Sequence, residues 1–386
     1  VTPEEILPDA LLERIRARAA GYDRDNSFFD EDLRDLEDAG YLKLFVPESD
    51  GGRGLGLAEV AAVQRRLAGA APATALGVNM HLVWTGVARV LDNLGDGSLS
   101  FVLEEAAAGE LFAFAISEAG NDSMLFDSGT VAAPLQDGGY SFTGRKIFTS
   151  LSPAWTRLGT FGKDSTARDG DGELVYGFIN RETPGHSTVG DWDTLGMRAS
   201  QSNTTLLEGA VVPPERIFRK LPTAPNQDPL IFAIFACFET LLAAVYTGIA
   251  ERAFELAVEA VKRRTSAKYG GRSFAQDPDI RWKVADAAMA LDAVQAQLGG
   301  IARDVDAGTD HGNLWFAKLV GVKLRATETA RAVVDTAIRV SGGASYFRGA
   351  ELERLYRDVL AGIFHPSNDE SAHNTVANAW LGPLER

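Results

Sequence analysis

Three long apolar periodicities toward the end of the chain constrain its fold more than any other feature. Leu230–Arg264, Pro278–Ala307 and Leu314–Ser341 each run about 28 to 35 residues without a proline in their interiors. The average globular helix has roughly three turns, so helices this long must bury one another. Val284, Ala287, Leu291, Val294 and Leu298 repeat at helical spacing and predict an antiparallel four-helix bundle. Asp277 stands as N-cap before Pro278, and Gly308 and Gly342 lie just past two helix ends. Leu230–Ala250 is apolar enough to suggest a membrane span, but Glu239 sits near its centre. An ionised carboxylate at mid-membrane costs at least ~2.5–3.5 kcal/mol, so the sequence predicts a helix buried in protein.

The chain before this bundle has two other textures. Up to about residue 110 it reads as helices: Leu11, Leu12, Ile15 and Ala19 share a face, Asp30–Ala39 ends at Gly40, and Leu57–Leu67, Leu82–Leu94 and Leu99–Ala107 follow. Thr2-Pro3-Glu4-Glu5 has the pattern of a capping box, which predicts folded structure from the start and no targeting segment. Between about 112 and 217, short runs such as Tyr140–Phe148, Leu158–Gly162, Leu174–Ile179 and Thr204–Val212 alternate with Gly- and Asp-rich turns. About six strands there predict a small barrel or sandwich. The expected architecture is α+β and multidomain: a helical domain at 1–111, a β domain at 112–222 and a C-terminal four-helix bundle at 223–386.

Composition removes several functions. Over 386 residues, 38 basic against 53 acidic side chains give a net charge of −15. Such a chain has no general field for nucleic acid or an anionic membrane, and a soluble cytoplasmic protein is expected. Cys237 is the single cysteine, and the five histidines lack His-Glu-x-x-His spacing, so no metal site is predicted. Gly51-Gly52-Arg53-Gly54-Leu55-Gly56 has neither the spacing nor the preceding strand of a nucleotide loop and reads as a flexible connection.

Four places could carry chemistry. The run from Lys262 to Arg272 holds five cations and no acid, which suits either phosphate oxygens or a helix C-terminus. Ser341-Gly342-Gly343 could cap a helix or admit a ligand close to the backbone. Glu239 has no cation near it in sequence; burial would raise its pKa and make it a base, or it could be structural. His365, between Phe364 and Pro366, could be catalytic or a satisfied structural histidine.

The order of motifs resembles that of the acyl-CoA dehydrogenase family of flavoproteins over essentially the whole chain. Phe114-Ala115-Ile116-Ser117-Glu118-Ala119-Gly120 is similar to its first flavin motif, and Gly144-Arg145-Lys146-Ile147-Phe148-Thr149-Ser150 to its second. Gly196-Met197-Arg198-Ala199-Ser200, the basic run, Arg339–Gly343 and Arg357-Asp358 match further landmarks. The resemblance implies an FAD-dependent acyl-thioester dehydrogenase, usually a tetramer, acting on an acyl-CoA or carrier-bound acyl group and passing electrons to an electron-transfer flavoprotein. It implies that Phe114, Ile116, Ser117, Phe148, Thr149 and Ser150 line the flavin ring, and that Arg264, Arg339, Gly342 and Gly343 hold its diphosphate and adenosine side. Where many members carry their catalytic glutamate, this chain has His365-Pro366, and its flavin loop is shortened to Glu118-Ala119-Gly120-Asn121-Asp122. Glu239 is then the candidate base, His365 the alternative and Glu370 the reserve. Histidine at that position is also a feature of the flavin monooxygenases built on the same fold, which gives the second implied activity. A non-catalytic flavoprotein is the third.

Overall fold

The computed structural model describes residues 2–385 apart from Asp122, so the last residue of the stretch expected to be a shortened flavin motif lies outside the described residues. Its first part is helical: α1 (Pro3–Ile6), α2 (Asp9–Asp25), α3 (Asp30–Asp38), α4 (Leu57–Ala70), α5 (Pro72–Asn93) and α6 (Ser100–Ala107). The Thr2 capping box forms, with Glu5 N on Thr2 Oγ1 and Thr2 N on Glu5 Oε2. Helix α5 begins ten residues before the expected Leu82. Nearly every side chain from Thr74 to Ala88 is buried, so the helix has no polar face to mark its period. The glycine run at 51–56 is not a loose connection, because Arg53, Gly54 and Leu55 donate to the carbonyls of Lys43, Val46 and Leu44. A Cβ on Gly52 would lie 2.1 Å from the Val46 carbonyl oxygen.

The middle part is one mixed sheet of β1 (Phe112–Ala115), β2 (Val131–Pro134), β3 (Tyr140–Thr149), β4 (Arg157–Asp164), β5 (Glu173–Asn180), β6 (His186–Thr188), β7 (Asn203–Val212) and β8 (Ile217–Pro222). The strand order is β6-β7-β3-β2-β4-β5-β8, with β1 laid parallel on β4. Three of the eight strands escape a reading of the sequence. β2 and β6 have only four and three residues, and β8 is a partly exposed terminal strand with Arg219 and Lys220 in it.

Helices α7 (Pro229–Arg263), α8 (Pro278–Asp306), α9 (Trp315–Ser341), α10 (Glu351–Val359) and α11 (Asp369–Leu381) complete the chain. A small two-stranded ribbon, Thr265–Ser266 with Arg272–Ser273, follows α7. α7 is long and apolar enough to cross a membrane, but 83% of its most apolar window is buried against α4, α5, α8 and α9. Asp306, at the end of α8, accepts from Leu57 N and Ala58 N at 2.7 and 2.9 Å and so caps α4. The helical ends and the sheet therefore share one continuous core.

Candidate functional site

Two cavities of about 170 and 250 Å³ lie between the sheet and the bundle. Phe114, Ser117, Phe148, Phe238, Phe364 and Pro366 line both, so they form one divided space. Ile116, Glu118, Asn121, Met124 and Glu239 line the smaller part; Ser150, Trp192, Met197, Ser202, Arg357 and His365 line the larger. Phe114 stacks on Phe238 at 5.6 Å, and Phe148 meets the Trp192 ring edge-on at 6.1 Å.

The backbone at the end of β3 explains how Phe148 reaches the cavity. The pairing of β3 with β7 slips between Lys146 and Thr149, an irregularity that re-aims side chains. Phe148 there takes φ 59° and leaves its ring 52% exposed. Met124, Leu151, Met197 and Gln201 also hold left-handed backbone near this space. Non-glycine residues pay of order 1–3 kcal/mol for such conformations, and they gather at ligand sites where the surroundings enforce them. Ser150 Oγ and Ser200 Oγ each lie 2.8 Å from Ser202 Oγ, forming a hydroxyl chain in the wall of the larger cavity. Thr149 is fully buried, with Oγ1 lacking a partner, and lines neither cavity.

The charged members of the two β-region motifs meet in a buried ion pair. Lys146 Nζ lies 2.6 Å from Glu118 Oε1, and that carboxylate also accepts from Ser128 Oγ, Gly129 N and Thr130 Oγ1 at 2.7, 2.7 and 2.6 Å. Burial alone would raise the Glu118 pKa, but the Lys146 charge and these donors outweigh it and hold it at about 2. Burial draws Lys146 down to about 8 while Glu118 opposes the fall. The pair fixes the loop after Ser117 to β3 and thereby shapes the cavity wall.

Glu239 is 2% exposed on α7 and lines the smaller cavity. Its Oε1 accepts from Ser367 N at 3.2 Å and Ser367 Oγ at 2.9 Å, while Oε2 is buried without a partner. No cation is near Glu239 in the sequence, but α9 brings Lys323 within electrostatic reach of it. Burial still dominates and pushes Glu239 up to about 7, against Lys323 and the Ser367 bonds. Lys323 Nζ itself donates to the carbonyls of Gly362, His365 and Ser367 at 3.1, 2.8 and 2.9 Å. Its one visible signal in sequence is a lysine among Leu319, Val320, Val322 and Ala326 on an apolar helix face. His365 lines the larger cavity, and its buried Nε2 has no partner. Burial and then the Lys323 charge lower its pKa to about 3, so the ring is neutral near pH 7.

Other expected site residues lie elsewhere in the chain. Glu370 is exposed in the first turn of α11 and lines neither cavity. Arg264 donates to the carbonyls of Val340 and Ser341 at 3.0 and 2.7 Å, and its guanidinium lies over the Phe274 ring. It thus caps α9 at Gly342, which has φ 77°; a Cβ on Gly342 would stand 2.7 Å from the guanidinium nitrogens. Gly343 follows, and Arg339 is exposed and paired with Asp335 at 2.6 Å. These four form a second cluster, outside the lining of both cavities.

The motif landmarks without a chemical candidate turn out to be joints. Met197 N donates to Asp358 Oδ1 at 2.6 Å, and Arg357 bridges Asp23 on α2, Glu353 on α10 and the Leu195 carbonyl. Burial pushes Asp358 up to about 6, against the charge of Arg354.

An apolar slot with hydroxyls along one rim fits a planar heteroaromatic ring with polar edge atoms. Glu239 and His365, each with one buried polar atom lacking a partner, line this space, and exposed Phe148 and Phe364 border it. The family model described as acyl-CoA dehydrogenase, N-terminal domain, matches residues 8–96, and that described as acyl-CoA dehydrogenase, C-terminal domain, matches residues 240–370. Fold and matches together define an enzyme of the flavin-dependent oxidoreductase class. The chain belongs to the acyl-CoA dehydrogenase family. L-evernosamine nitrososynthase of a Micromonospora species is 30% identical over 367 residues, covering 92% of this chain and 84% of that protein. YdbM of Bacillus subtilis is 28% identical over 379 residues, 96% of this chain and 94% of its own length. A solved structure of KijD3 with FMN and dTDP-3-amino-2,3,6-trideoxy-4-keto-3-methyl-D-glucose is similar at TM-score 0.87 and 27% identity, covering 100% of this chain and 95% of that one.

Proposed function

We propose that the chain is the oxygenase component of a two-component flavin monooxygenase, acting on a small group that the divided cavity encloses. The carrying observation is the neutral His365, which lines the larger cavity with a buried, unpartnered Nε2, where a dehydrogenase of this family often places its carboxylate. A group with a pKa of about 3 is too weak a base for a carbon acid, but it accepts a hydrogen bond from a substrate N–H or O–H and adds no positive charge beside it. The nitrososynthase likeness over most of both chains supports the same reading. A reduced flavin, delivered by a separate reductase, supplies the two electrons that activate dioxygen.

This chain's residues do the rest. Phe114, Ile116 and Phe148 would hold a flavin ring, with the hydroxyls of Ser117 and Ser150 available to its polar edge. Glu239 and Lys323 hold the turn that carries His365. The resemblance that assigns Arg264, Arg339, Gly342 and Gly343 to the distal end of FAD, beyond the helix cap and surface ion pair they already form, favours FAD over FMN.

A second reading, α,β-dehydrogenation of an acyl-CoA or carrier-bound acyl group with release of electrons to an electron-transfer flavoprotein, is favoured by one feature. Glu239 lines the cavity with Oε2 free and a pKa raised to about 7, suited to taking an α-proton. Anaerobic mixing of the flavin-loaded protein with an acyl-CoA panel separates the two. The proposed oxygenase leaves the flavin oxidised, and with reduced flavin and labelled dioxygen it transfers label to a member of a panel of amines, amino sugars and phenols. Bleaching by an acyl-CoA without any reductase would overturn the proposal. Glu239→Gln should then slow that bleaching by roughly 10²–10⁴.

A further inference from the structure

Beside the larger cavity lies a chamber of about 750 Å³ between α2, the turn at 194–198 and the start of α10. Its size falls in the ordinary range for organic ligands, roughly 300–1,000 Å³. Thr194, Leu195 and Arg357 line both spaces, so the chamber continues the site. Six arginines and three carboxylates line it, in a chain of net charge −15.

The carboxylates are already committed. Asp23 and Glu353 each hold Arg357 at 2.7 Å. Glu351 binds Arg252, which lies outside the chamber, with both oxygens at 2.9 Å. Arg354 is therefore left over: it is 7% exposed, lines the chamber, and its guanidinium has no hydrogen bond or ion pair among the described residues. Arg348, exposed at the rim, is also unpaired among them, and Arg16 has only Glu351 at 3.9 Å with its Nε buried and unsatisfied. Buried Asp358 and Glu351 act on Arg354 from longer range, but its guanidinium N–H groups meet no acceptor among the described residues and stay open to the oxygens of an anion.

We infer that this chamber seats a phosphate or diphosphate group whose carrier places its other end in the adjoining cavity, with Arg354 as the buried anchor and Arg348 at the rim. The inference rests on the adjoining cavity being the reacting site, but not on which reaction occurs there. The group belongs either to the substrate, as in a nucleoside diphosphate conjugate or a CoA thioester, or to the flavin.

Calorimetric titration of the purified protein with inorganic pyrophosphate and with ADP tests it directly. Both should bind, and Arg354→Gln and Arg348→Ala should each weaken binding by about tenfold or more, as expected for lost charge-assisted bonds. Failure of the parent protein to bind either probe, or unchanged affinity in both variants, would overturn the inference. Arg348 is exposed, so Arg348→Ala keeps the test decisive if Arg354→Gln does not fold. Parallel titration with FMN and riboflavin identifies the source. Loss of the preference for FMN in Arg354→Gln assigns the phosphate to the flavin, and an unchanged preference with weakened ADP binding assigns it to the substrate. No turnover is involved, so failure of the oxygenase reading would leave this result standing.

Discussion

At the residue scale, the family motifs divide into side chains that face the cavity and side chains that hold those in place. Ser117 and Phe148 face it, while their neighbours Glu118 and Lys146 are joined behind it. Lys146 is 0% exposed, and its ammonium also sits 4.3 Å from the centre of the Phe161 ring. Removing one partner of such a pair strands the other charge in the interior, which typically costs 3–5 kcal/mol. Lys146→Met should therefore lower stability by about 3–5 kcal/mol in urea and loosen flavin binding together with it. A change below about 1 kcal/mol would place this pair with ordinary surface bridges. The motif letters were readable in the sequence. That two of them pair with each other, 28 residues apart, was not, because the sequence does not record which strand closes on which loop.

At the element scale, the turn before β7 is what brings sheet, bundle and N-terminal helices together. Gly196 passes so close to α10 that a Cβ there would stand 2.3 Å from the Arg357 carbonyl oxygen. Met197 next to it, with φ 53°, gives its N–H to Asp358. Gly196→Ala should force the turn and α10 apart, costing roughly 1–3 kcal/mol as other overpacked contacts do, and should widen the cavity edge at Met197. Thermal unfolding and flavin affinity are the measurements, and a variant that melts and binds like the parent would show that the turn yields freely. Helices α8 and α9 were legible from their period and caps because each has a wet and a dry face, and α7 from the length of its apolar run. Helix α5 was half legible, since burial on all sides erases that contrast.

At the scale of the whole molecule, the residues expected to hold a flavin fall into two clusters. Phe114, Ile116, Ser117, Phe148 and Ser150 line the cavity, whereas Arg264, Arg339, Gly342 and Gly343 stand around the end of α9. If the second cluster holds the adenosine side of FAD, as on a neighbouring copy of the chain, Arg264→Ala should weaken FAD by about tenfold and leave FMN unchanged, read by flavin fluorescence. Equal binding of FAD by parent and variant would leave Arg264 as a helix cap alone. The sequence by itself determined the helical, β and helical order, the long bundle and the motif positions, because hydrophobic period and caps are local properties of the chain. Only the tertiary structure decided that Lys323 comes within electrostatic reach of Glu239, that Glu370 lies outside the cavities and that Arg354 has no hydrogen-bonded partner among the described residues. Those facts depend on which surfaces pack together, and a charge acquires its shifted pKa or its vacancy only from what is packed around it.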